Sequence, residues 1–362
     1  MVYAPGRVNI IGEHTDYNEG FVLPCALRYG TVVAAKPRAD QVVNVIALDY
    51  RGHHVQFNAH LPIASSPRSP WADYVKGVIH VLLTRGHTVG GMDLMISGDV
   101  PQGAGLSSSA SLQVALGWLC SEMNDLGLSR AEVALNAQRA ENDFVGCQCG
   151  VMDQLTSALG HAEHAVLIDC RSLETSLVSL PEAMSLVVVN SNVRRELVDS
   201  AYNERRAQCE EAASALGLTS LRDASLDMLT QAQGSLSDVV YRRARHVITE
   251  NERTLNAVDA MRAGDLVKLG ALMRGSHDSL RTDFEVTVPP VDELVELMND
   301  IIGSEGGARM TGGGFGGCVV AAVPTPLIEE LSREVIPRYE ARTGLRADVY
   351  RGEVGPGVRS LP

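Results

Sequence analysis

A short polar run near the start of the chain has the chemistry to bind a sugar. Glu13 and Asp16 lie close together, and each carboxylate can accept hydrogen bonds from two hydroxyl groups. The mostly apolar residues 8–11 predict a strand that enters the core just before Gly12. That strand would hold the segment Glu13-His14-Thr15-Asp16 at a fixed place, as a binding site requires. The alternative is a solvated loop, which is the usual meaning of a charged run.

A second stretch, Pro101 to Ser111, has the chemistry to bind phosphate. Gly103 and Gly105 can adopt backbone angles closed to other residues, and they let a ligand approach the main chain. The serines Ser107 to Ser109 lie where a helix exposes its first N–H groups, an end that carries partial positive charge. They could also supply a ligand for Mg²⁺, although ordinary helix capping needs only one serine. The stretch matches neither the Walker A pattern nor Gly-x-Gly-x-x-Gly, so an ordinary turn remains the alternative.

Two further acidic residues are candidates because of their places on predicted helices. Glu141 lies on a helix that a capping box starts at Ser129. Asp153 lies in the first turn of the next helix, after the loop that Gly146 and Gly150 bracket. An acid at a helix start is commonly only a favourable contact with the helix dipole, and Glu141 could be a surface residue.

Aromatic residues and a second glycine cluster complete the set of candidates. Trp71 and Tyr74 lie on an amphipathic helix predicted over 71–84, and they either pack in the core or border an adenine ring. The cluster Thr311-Gly-Gly-Gly-Phe-Gly-Gly317 directly precedes an apolar strand predicted over 318–323. Close approach of this backbone to a ligand or to the other glycine loop explains it better than a linker does.

The composition of the chain limits the classes of protein to which it can belong. At 362 residues with 45% hydrophobic content, it can form two domains with substantial cores. A net charge of −13 without a basic cluster argues against nucleic acid and anionic membranes as partners. Seven cysteines, an odd number, fit a reducing cytosol better than a disulfide framework, and Cys147 and Cys149 are predicted to be small buried packing residues. Without a signal-peptide pattern or an apolar run of about 18 residues, the chain is expected to be soluble and cytoplasmic.

The predicted secondary structure changes from mostly strands to mostly helices near residue 180, where we place the domain boundary. Strands are predicted over 31–36, 42–48, 54–57, 92–97, 165–169, 186–190, 318–323 and 346–350. Other helices are predicted over 112–123, 200–216, 226–233, 237–263, 266–281, 291–302 and 327–342. The first part is therefore expected to be a sheet with a few helices, and the second part mostly helical.

Three separated segments occur in an order that resembles the GHMP kinases, a superfamily of small-molecule kinases. Pro101 to Ser111 resembles the phosphate loop of that superfamily, and Thr311 to Gly317 resembles its C-terminal glycine motif. Ala4 to Tyr17 is similar to the signature of the galactokinase family over its whole length. Similarity at Gln148–Gln154 and Ser200–Arg206 extends the resemblance over nearly all the chain. The family carries a further segment with a short helix ahead of the signature, so the natural chain is expected to begin upstream of Met1.

The resemblance implies an α+β fold of two domains with the active site between them. Residues 1–180 would form a sheet domain similar to domain 2 of ribosomal protein S5, and they would bind the sugar and ATP. Residues 181–362 would form a ferredoxin-like domain with extra helices. The implied activity is that of an ATP-dependent sugar 1-kinase, which transfers the γ-phosphoryl group of MgATP to the 1-hydroxyl group of D-galactose. The product would be α-D-galactose 1-phosphate, an intermediate of galactose metabolism by the Leloir pathway.

The resemblance also implies a role for each candidate residue. The sugar would be bound by Glu13, His14, Thr15, Asp16, Gly150 and Tyr202. The triphosphate would be bound by Gly103, Ala104, Gly105, Leu106, Ser107, Ser108 and Ser109. Trp71 and Tyr74 would border the adenine, and Ser109 and Glu141 would hold Mg²⁺. Asp153 would face the anomeric hydroxyl group, either as a general base or only to orient it, and Arg7 would lie between Asp153 and the transferring phosphate.

Two alternatives stay open beside this interpretation. One is a kinase of N-acetylgalactosamine or arabinose, and the other is a non-catalytic sensor of sugar and ATP derived from such a kinase. The complete run Ser107-Ser-Ser-Ala-Ser111, together with Arg7 and Asp153, favours an enzyme over a sensor. The expected substrates are D-galactose and ATP, the expected cofactor is Mg²⁺, and the expected state is a monomer without nucleic acid or membrane partners.

Overall fold

The structure is a computed structural model that describes residues 1–101, 103–193 and 198–362, so Gln102 of the predicted phosphate loop lies outside the described residues. The strands are β1 (Val2–Asn9), β2 (Phe21–Val22), β3 (Pro24–Pro37), β4 (Val42–Ala47), β5 (His53–Asn58), β6 (Met92–Gly98), β7 (His164–Asp169), β8 (Thr175–Ser179), β9 (Met184–Asn190), β10 (Gly307–Thr311), β11 (Cys318–Pro324), β12 (Asp348–Arg351) and β13 (Arg359–Ser360). The helices are α1 (Pro70–Thr84), α2 (Ser108–Met123), α3 (Arg130–Arg139), α4 (Met152–Leu159), α5 (Val198–Ala215), α6 (Leu226–Gln231), α7 (Asp238–Ala263), α8 (Leu266–Ser279), α9 (Pro289–Ile302) and α10 (Ile328–Thr343).

The first half of the chain is built on a sheet with the order β13-β1-β3-β6-β4-β5. Its neighbouring strands are antiparallel except for β4 and β6, which run parallel. Apolar side chains of the sheet and of α1 to α4 form one core. A smaller sheet with the order β2-β7-β8 adjoins it. This arrangement brings β1, the turn before α2 and the start of α4 together.

The second half is built on an antiparallel sheet with the order β10-β11-β9-β12. Successive side chains of a strand point to opposite faces, so Val187 and Val189 of β9 pack in one core and Leu186 and Val188 pack in another. Helices cover both faces, which explains why β9 and β11 are nearly continuous apolar runs. The core that contains Leu186 also takes residues from β1, and it joins the two halves.

The predicted α+β architecture, a sheet domain followed by a helix-rich part with its own sheet, is confirmed. Two details were wrong. The first strand ends at Asn9 rather than running through residue 11, and β3 is much longer than the 31–36 predicted. The strand predicted over 346–350 corresponds to β12, and the short strand β13 that follows it was missed. The strands β8 and β10 were missed because short strands with few β-branched residues give weak periodicity. Among the described residues, no helix is both long enough and apolar enough to cross a bilayer.

Candidate active site

The structure brings Arg7 of β1 against Asp153 in the first turn of α4. The Nε and Nη2 atoms of Arg7 donate to Oδ1 and Oδ2 of Asp153 at 2.7 and 2.8 Å. The third nitrogen, Nη1, donates to the carbonyl oxygen of Gly105 at 2.7 Å. Arg7 is only 5% exposed, so its guanidinium group is fixed between a carboxylate and the turn before α2. Paired, charge-assisted hydrogen bonds of this kind are strong and directional.

The turn before α2 has the backbone of an anion-binding loop. Gly103, Gly105 and Ser107 adopt positive φ angles of 70°, 79° and 60°, and the helix begins at Ser108. Ser107 is a non-glycine residue in the left-handed region, which costs free energy and is common at functional sites. Its hydroxyl group donates to Oδ2 of Asp153. The predicted phosphate loop is therefore connected directly to the Arg7–Asp153 pair.

The two apolar residues of this loop, Ala104 and Leu106, turn their side chains into the core. Only their main chain can therefore approach a ligand. Leu106 also accepts a hydrogen bond from the N–H group of Arg7 at 3.1 Å, which attaches the loop to β1. An open cavity of about 760 Å³ lies along the loop and is lined by Gly103, Gly105, Leu106, Ser107, Ser108 and Ser109.

Ser109 and Glu141 form the oxygen pair expected of a Mg²⁺ site. Glu141 lies in a π-helical turn, residues 140–145, that extends α3; such turns occur frequently at functional sites. The Ser109 hydroxyl group donates to Oε1 of Glu141 at 3.0 Å, and the Gln154 amide donates to Oε2 at 2.9 Å. Hard oxygen donors and a small number of protein ligands suit Mg²⁺, so these residues fit the ion. Among the described residues, no group of three or more His, Cys, Asp or Glu side chains forms a richer metal site.

A smaller cavity of about 130 Å³ lies on the other side of the Arg7–Asp153 pair. Residues 12–16, which we call the sugar loop, form one wall through Glu13, His14 and Asp16. Glu13 is 2% exposed, and its Oε1 accepts from Gly312 N at 2.7 Å and Thr311 Oγ1 at 3.1 Å. The second glycine cluster therefore contacts the sugar loop rather than the described residues of the other glycine loop, and its approach to a ligand stays a prediction.

His14 is held in one orientation and is uncharged at neutral pH. It adopts a φ angle of 61°, and its Nδ1 atom lies 2.8 Å from the Tyr17 hydroxyl group. Burial, followed by the charges of His246, Arg205 and Arg309, lowers the pKa of His14 to about 3, and the Gly313 main chain offsets part of this shift. Nε2 of His14 is buried and has no partner of good hydrogen-bond geometry among the described residues.

Asp16 has an unusual charge environment. Burial first, and then the nearby charge of Asp153, raises the pKa of Asp16 to about 7. A Cβ atom added to Gly150 would lie 2.0 Å from Oδ2 of Asp16, so only glycine leaves room for that carboxylate. Tyr202 of α5 lines the same cavity, and its ring lies 5.3 Å from the His14 ring.

Thr15 is the predicted sugar-site residue that the structure does not bring to the cavity. It is completely buried, and its hydroxyl group donates to the carbonyl oxygens of Gly12 at 2.9 Å and Phe21 at 2.7 Å. These bonds close the sugar loop on itself. Thr15 therefore holds the shape of the loop rather than lining the cavity.

Trp71 and Tyr74 border a third cavity, of about 260 Å³, that reaches Gly103, Ser108 and Ser109 of the phosphate loop. The ring of Tyr50 stacks on Trp71 with centroids 6.0 Å apart and planes 15° apart. Sequence reasoning missed Tyr50 because it lies in an irregular turn after β4, outside any periodic pattern. It also missed Asp49, whose carboxylate accepts from Gly98 N at 2.7 Å at the edge of this cavity.

Cys147 and Cys149 do not match their prediction as buried packing residues. Both are half-buried and line the small cavity beside Gly150. Both belong to the irregular loop between the π-helical turn and α4, and this loop borders the cavity rather than the core. All seven cysteines of the chain are free in the structure.

Comparison with protein families agrees with this geometry. Residues 73–161 match the N-terminal domain of the GHMP kinases, and residues 257–340 match the GHMP kinase C-terminal domain. The mevalonate kinase of Methanococcus jannaschii shares the fold at a TM-score of 0.66 and 17% identity, over 100% of this chain and 98% of that chain. A homoserine kinase from Cytophaga hutchinsonii shares it at a TM-score of 0.65 and 14% identity, over 99% and 96% of the two chains. The fold is that of the GHMP kinases, and both domain models of that superfamily match the chain.

Two closer matches define the family. Residues 1–37 match the galactokinase galactose-binding signature. The crystal structure of Lactococcus lactis galactokinase complexed with galactose matches at a TM-score of 0.94 and 34% identity, over 99% of this chain and 94% of that chain. The chain belongs to the galactokinase family of the GHMP kinases, and it is an ATP-dependent sugar kinase.

Proposed function

We propose that this galactokinase transfers the γ-phosphoryl group of ATP to the 1-hydroxyl group of D-galactose, and that Arg7 and Asp153 are its catalytic residues. The observation that carries the proposal is the position of this pair. Arg7, Glu141 and Asp153 line both the small cavity and the cavity of the phosphate loop. A hydroxyl group in the first cavity and a phosphate in the second would therefore meet at the pair, as in-line phosphoryl transfer requires.

Asp153 is arranged to hold the reacting hydroxyl group. A carboxylate can accept about four hydrogen bonds. The Arg7 fork occupies one position on each oxygen, and the Ser107 hydroxyl group takes a second position on Oδ2. A position on Oδ1 is left for the 1-hydroxyl group. Held in place by Arg7 and Ser107, Asp153 orients this hydroxyl group and accepts its proton late, once the bond to phosphorus has begun to form.

Arg7 would place its positive charge beside the transferring phosphoryl group, where negative charge is redistributed in the transition state. In a loose transition state the transferring phosphoryl group has little covalent bonding, so catalysis depends on positioning and electrostatic stabilisation. The guanidinium group is already fixed by Asp153 and Gly105, and it needs no reorganisation at the moment of reaction. The first N–H groups of α2 add the partial positive charge of a helix N-terminus.

Ser109 and Glu141 would hold Mg²⁺ beside the phosphate loop. When bound, the ion would neutralise charge on the phosphate oxygens. The Gln154 amide donates to Glu141 and orients its carboxylate, so that Oε1 points to Ser109.

Specificity for the sugar would come from the small cavity. Glu13, Asp16 and Tyr202 would bond ring hydroxyl groups, and the neutral His14 would reach one of them through Nε2. A site built to bond a hydroxyl group can reject an analogue that lacks it by a factor of about 10⁴ or more. Thr15 and Gly150 would act indirectly, by holding the sugar loop and by leaving room for Asp16.

The test is ATP consumption by the purified protein with Mg²⁺ and a set of sugars. Turnover is expected with D-galactose and not with glucose or mevalonate, and 2-deoxygalactose, N-acetylgalactosamine and arabinose measure the tolerance of the cavity. Asp153→Asn should reduce kcat by at least about 10²-fold, since it removes an ionised partner of Arg7 and of the hydroxyl group. Asp143→Asn is the matched control, because Asp143 is an exposed acid near the site. Binding of galactose without turnover by the unaltered protein would refute the enzyme and indicate a sensor.

The remaining features of the proposal concern the whole protein. We place the sugar- and ATP-binding domain at residues 1–180 and the C-terminal GHMP domain at 181–362, because β8 ends at Ser179 and β9 at Met184 begins the second sheet. The last strand, β13, departs from this division because it pairs with β1 of the first sheet. The acidic charge argues against nucleic acid and anionic membranes as partners, and the odd cysteine count fits a reducing cytosol. The proposed oligomeric state is a monomer. Size-exclusion chromatography with light scattering tests the monomer.

A further inference from the structure

Helix α7 presents two buried polar side chains to the main chain of the sugar loop. His246 and Glu250 lie one turn apart on the same face of α7, and both are completely buried. Oε1 of Glu250 accepts hydrogen bonds from Gly12 N at 3.0 Å and Glu13 N at 3.3 Å. Nε2 of His246 lies 3.1 Å from the carbonyl oxygen of Glu13. The peptide groups on both sides of Glu13 are therefore bonded by side chains from the other half of the molecule.

The protonation of both side chains follows from their partners. A carbonyl oxygen can only accept, so Nε2 of His246 must carry the proton, and Nδ1 accepts from the Ser279 hydroxyl group at 2.8 Å. Burial lowers the pKa of His246 to about 4, which keeps the ring neutral. Burial alone would raise the pKa of Glu250, but Arg253, His246 and Arg309 outweigh it and hold that pKa at about 2. Glu250 is an ionised acceptor across the working pH range.

Glu250 also has partners within its own half of the molecule. Its Oε2 accepts from Nε of Arg253 at 2.7 Å, and its Oε1 accepts from the Ser276 hydroxyl group at 2.6 Å, so part of its role is to stabilise the packing of α7 and α8. The sugar loop supplies another reason for the carboxylate. Gly12 and His14 adopt φ angles of 96° and 61°, on either side of Glu13. A non-glycine residue in this region persists only where surrounding contacts hold it, and the bonds to Glu13 are such contacts.

From this geometry we infer that Glu250 and His246 are positioning residues for sugar binding, which hold the main chain of Glu13 so that its carboxylate and the His14 ring point into the small cavity. The inference rests on the proposed role of Glu13 and His14 in binding galactose. Neither residue lines the cavity, so both act through the loop. Their loss should weaken sugar binding and leave unchanged the cavity that Trp71 and Tyr74 border, which we call the nucleotide cavity after its proposed role.

The test compares substitutions of Glu250 by isothermal titration with galactose and by steady-state kinetics. Glu250→Leu puts an apolar side chain of similar size in place of the carboxylate, and it removes the acceptor of the Gly12 and Glu13 N–H groups as well as that of Ser276 and Arg253. Since hydrogen bonds to a charged group contribute about 1.5–3 kcal/mol, the Kd for galactose should rise on the order of 10- to 100-fold. Glu250→Gln retains one acceptor oxygen and should give an intermediate Kd. The KM for ATP should stay within about twofold in both variants, a selectivity that general destabilisation does not produce.

Thr254→Val is the matched control. Thr254 lies one turn further along α7 and is also completely buried, but its hydroxyl group donates to the carbonyl oxygen of Glu250 within the helix, at 2.8 Å. The isosteric change keeps the packing and should leave the Kd for galactose within about twofold. If Glu250→Leu does not fold, Glu250→Gln and His246→Leu decide the question by the same ratio of galactose Kd to ATP KM.

Two outcomes separate this inference from the proposed function. If Glu13→Gln weakens galactose binding and the Glu250 and His246 variants leave it unchanged, the positioning role is wrong and the sugar site stands. If Glu13→Gln leaves galactose binding unchanged, the sugar site itself is wrong, and the positioning role fails with it. Equal effects on galactose Kd and ATP KM in the folded variants would show that both residues only support the fold.

Discussion

Asp16→Asn should stabilise the ligand-free protein at alkaline pH and weaken galactose binding. The pKa of Asp16 is raised in the folded protein from its ordinary value of 3.8 to about 7, chiefly by burial and then by the charge of Asp153. Ionisation of Asp16 is therefore more costly in the folded protein than in the unfolded chain. This cost is absent below about pH 4, grows between pH 4 and 7, and is complete above pH 7. Asparagine has no such cost at any pH.

The magnitude follows from the same two values. The pKa of Asp16 differs by about three units between the unfolded chain, at 3.8, and the folded protein, at about 7. At about 1.4 kcal/mol per pKa unit, ionisation of Asp16 can lower the free energy of unfolding by at most about 4 kcal/mol. Asp16 is only half-buried at the edge of a cavity, and water there screens part of this energy. We therefore expect the stability of Asp16→Asn, relative to the unaltered protein, to rise by about 1–3 kcal/mol between pH 4.5 and pH 8.

The assay is urea unfolding followed by circular dichroism at the two pH values, without sugar. Asp40→Asn is the control, because Arg38 holds the pKa of the exposed Asp40 at about 2, so that both its folded and unfolded pKa values lie below pH 4.5. Its stability difference should stay constant over this window. A constant or falling difference for Asp16→Asn would refute the reasoning. At pH 8, titration with galactose should show weaker binding by the variant, since Asp16 is ionised there and an ionised acceptor is lost.

Three further substitutions separate the parts of the site. Gly150→Ala places a Cβ atom 2.0 Å from Oδ2 of Asp16, so calorimetry should show loss of galactose binding with ATP binding retained; unchanged galactose affinity would contradict this geometry. Arg7→Lys replaces the two-pronged bond to Asp153 by a point charge, and kcat should fall on the order of 10²-fold or more with little change in either KM. Trp71→Ala opens the nucleotide cavity, and steady-state kinetics should show a KM for ATP raised about 10-fold at an unchanged KM for galactose. Equal rises in both KM values would show that the Trp71 ring only supports the fold.

Much of the site was predictable because its chemistry is carried by short, continuous segments. The alternation of strand 92–97, the glycines and serines of 103–109 and the helical period that follows indicate a strand–loop–helix unit from local sequence alone. The Glu13-His14-Thr15-Asp16 run indicates a binding loop in the same way. Backbone preference and side-chain chemistry depend on only a few neighbouring residues, so they can be recognised in the sequence without knowledge of the fold.

Other features depend on contacts between residues that are distant in the chain. Tyr50 borders the proposed nucleotide cavity because its ring stacks on Trp71 of α1. Cys149 lines the small cavity because its loop lies against the sugar loop at Asp16. The raised pKa of Asp16 likewise requires both burial and the approach of Asp153. Burial and through-space charge are properties of the packed molecule, and no sequence spacing encodes them directly.

The sequence by itself determined the class of chemistry: a phosphate loop, a sugar-type polar loop and a set of acids on helices. The tertiary structure decided which of these groups meet. Arg7 and Asp153 are 146 residues apart in sequence, and they form one fork only because β1 and α4 pack side by side. Glu250 shows the same dependence, since it reaches the sugar loop from a helix 237 residues beyond Glu13. The chemistry of each side chain can be taken from the sequence, because it depends on that residue alone. The meeting of distant side chains in one site results from the burial of apolar faces along the whole chain.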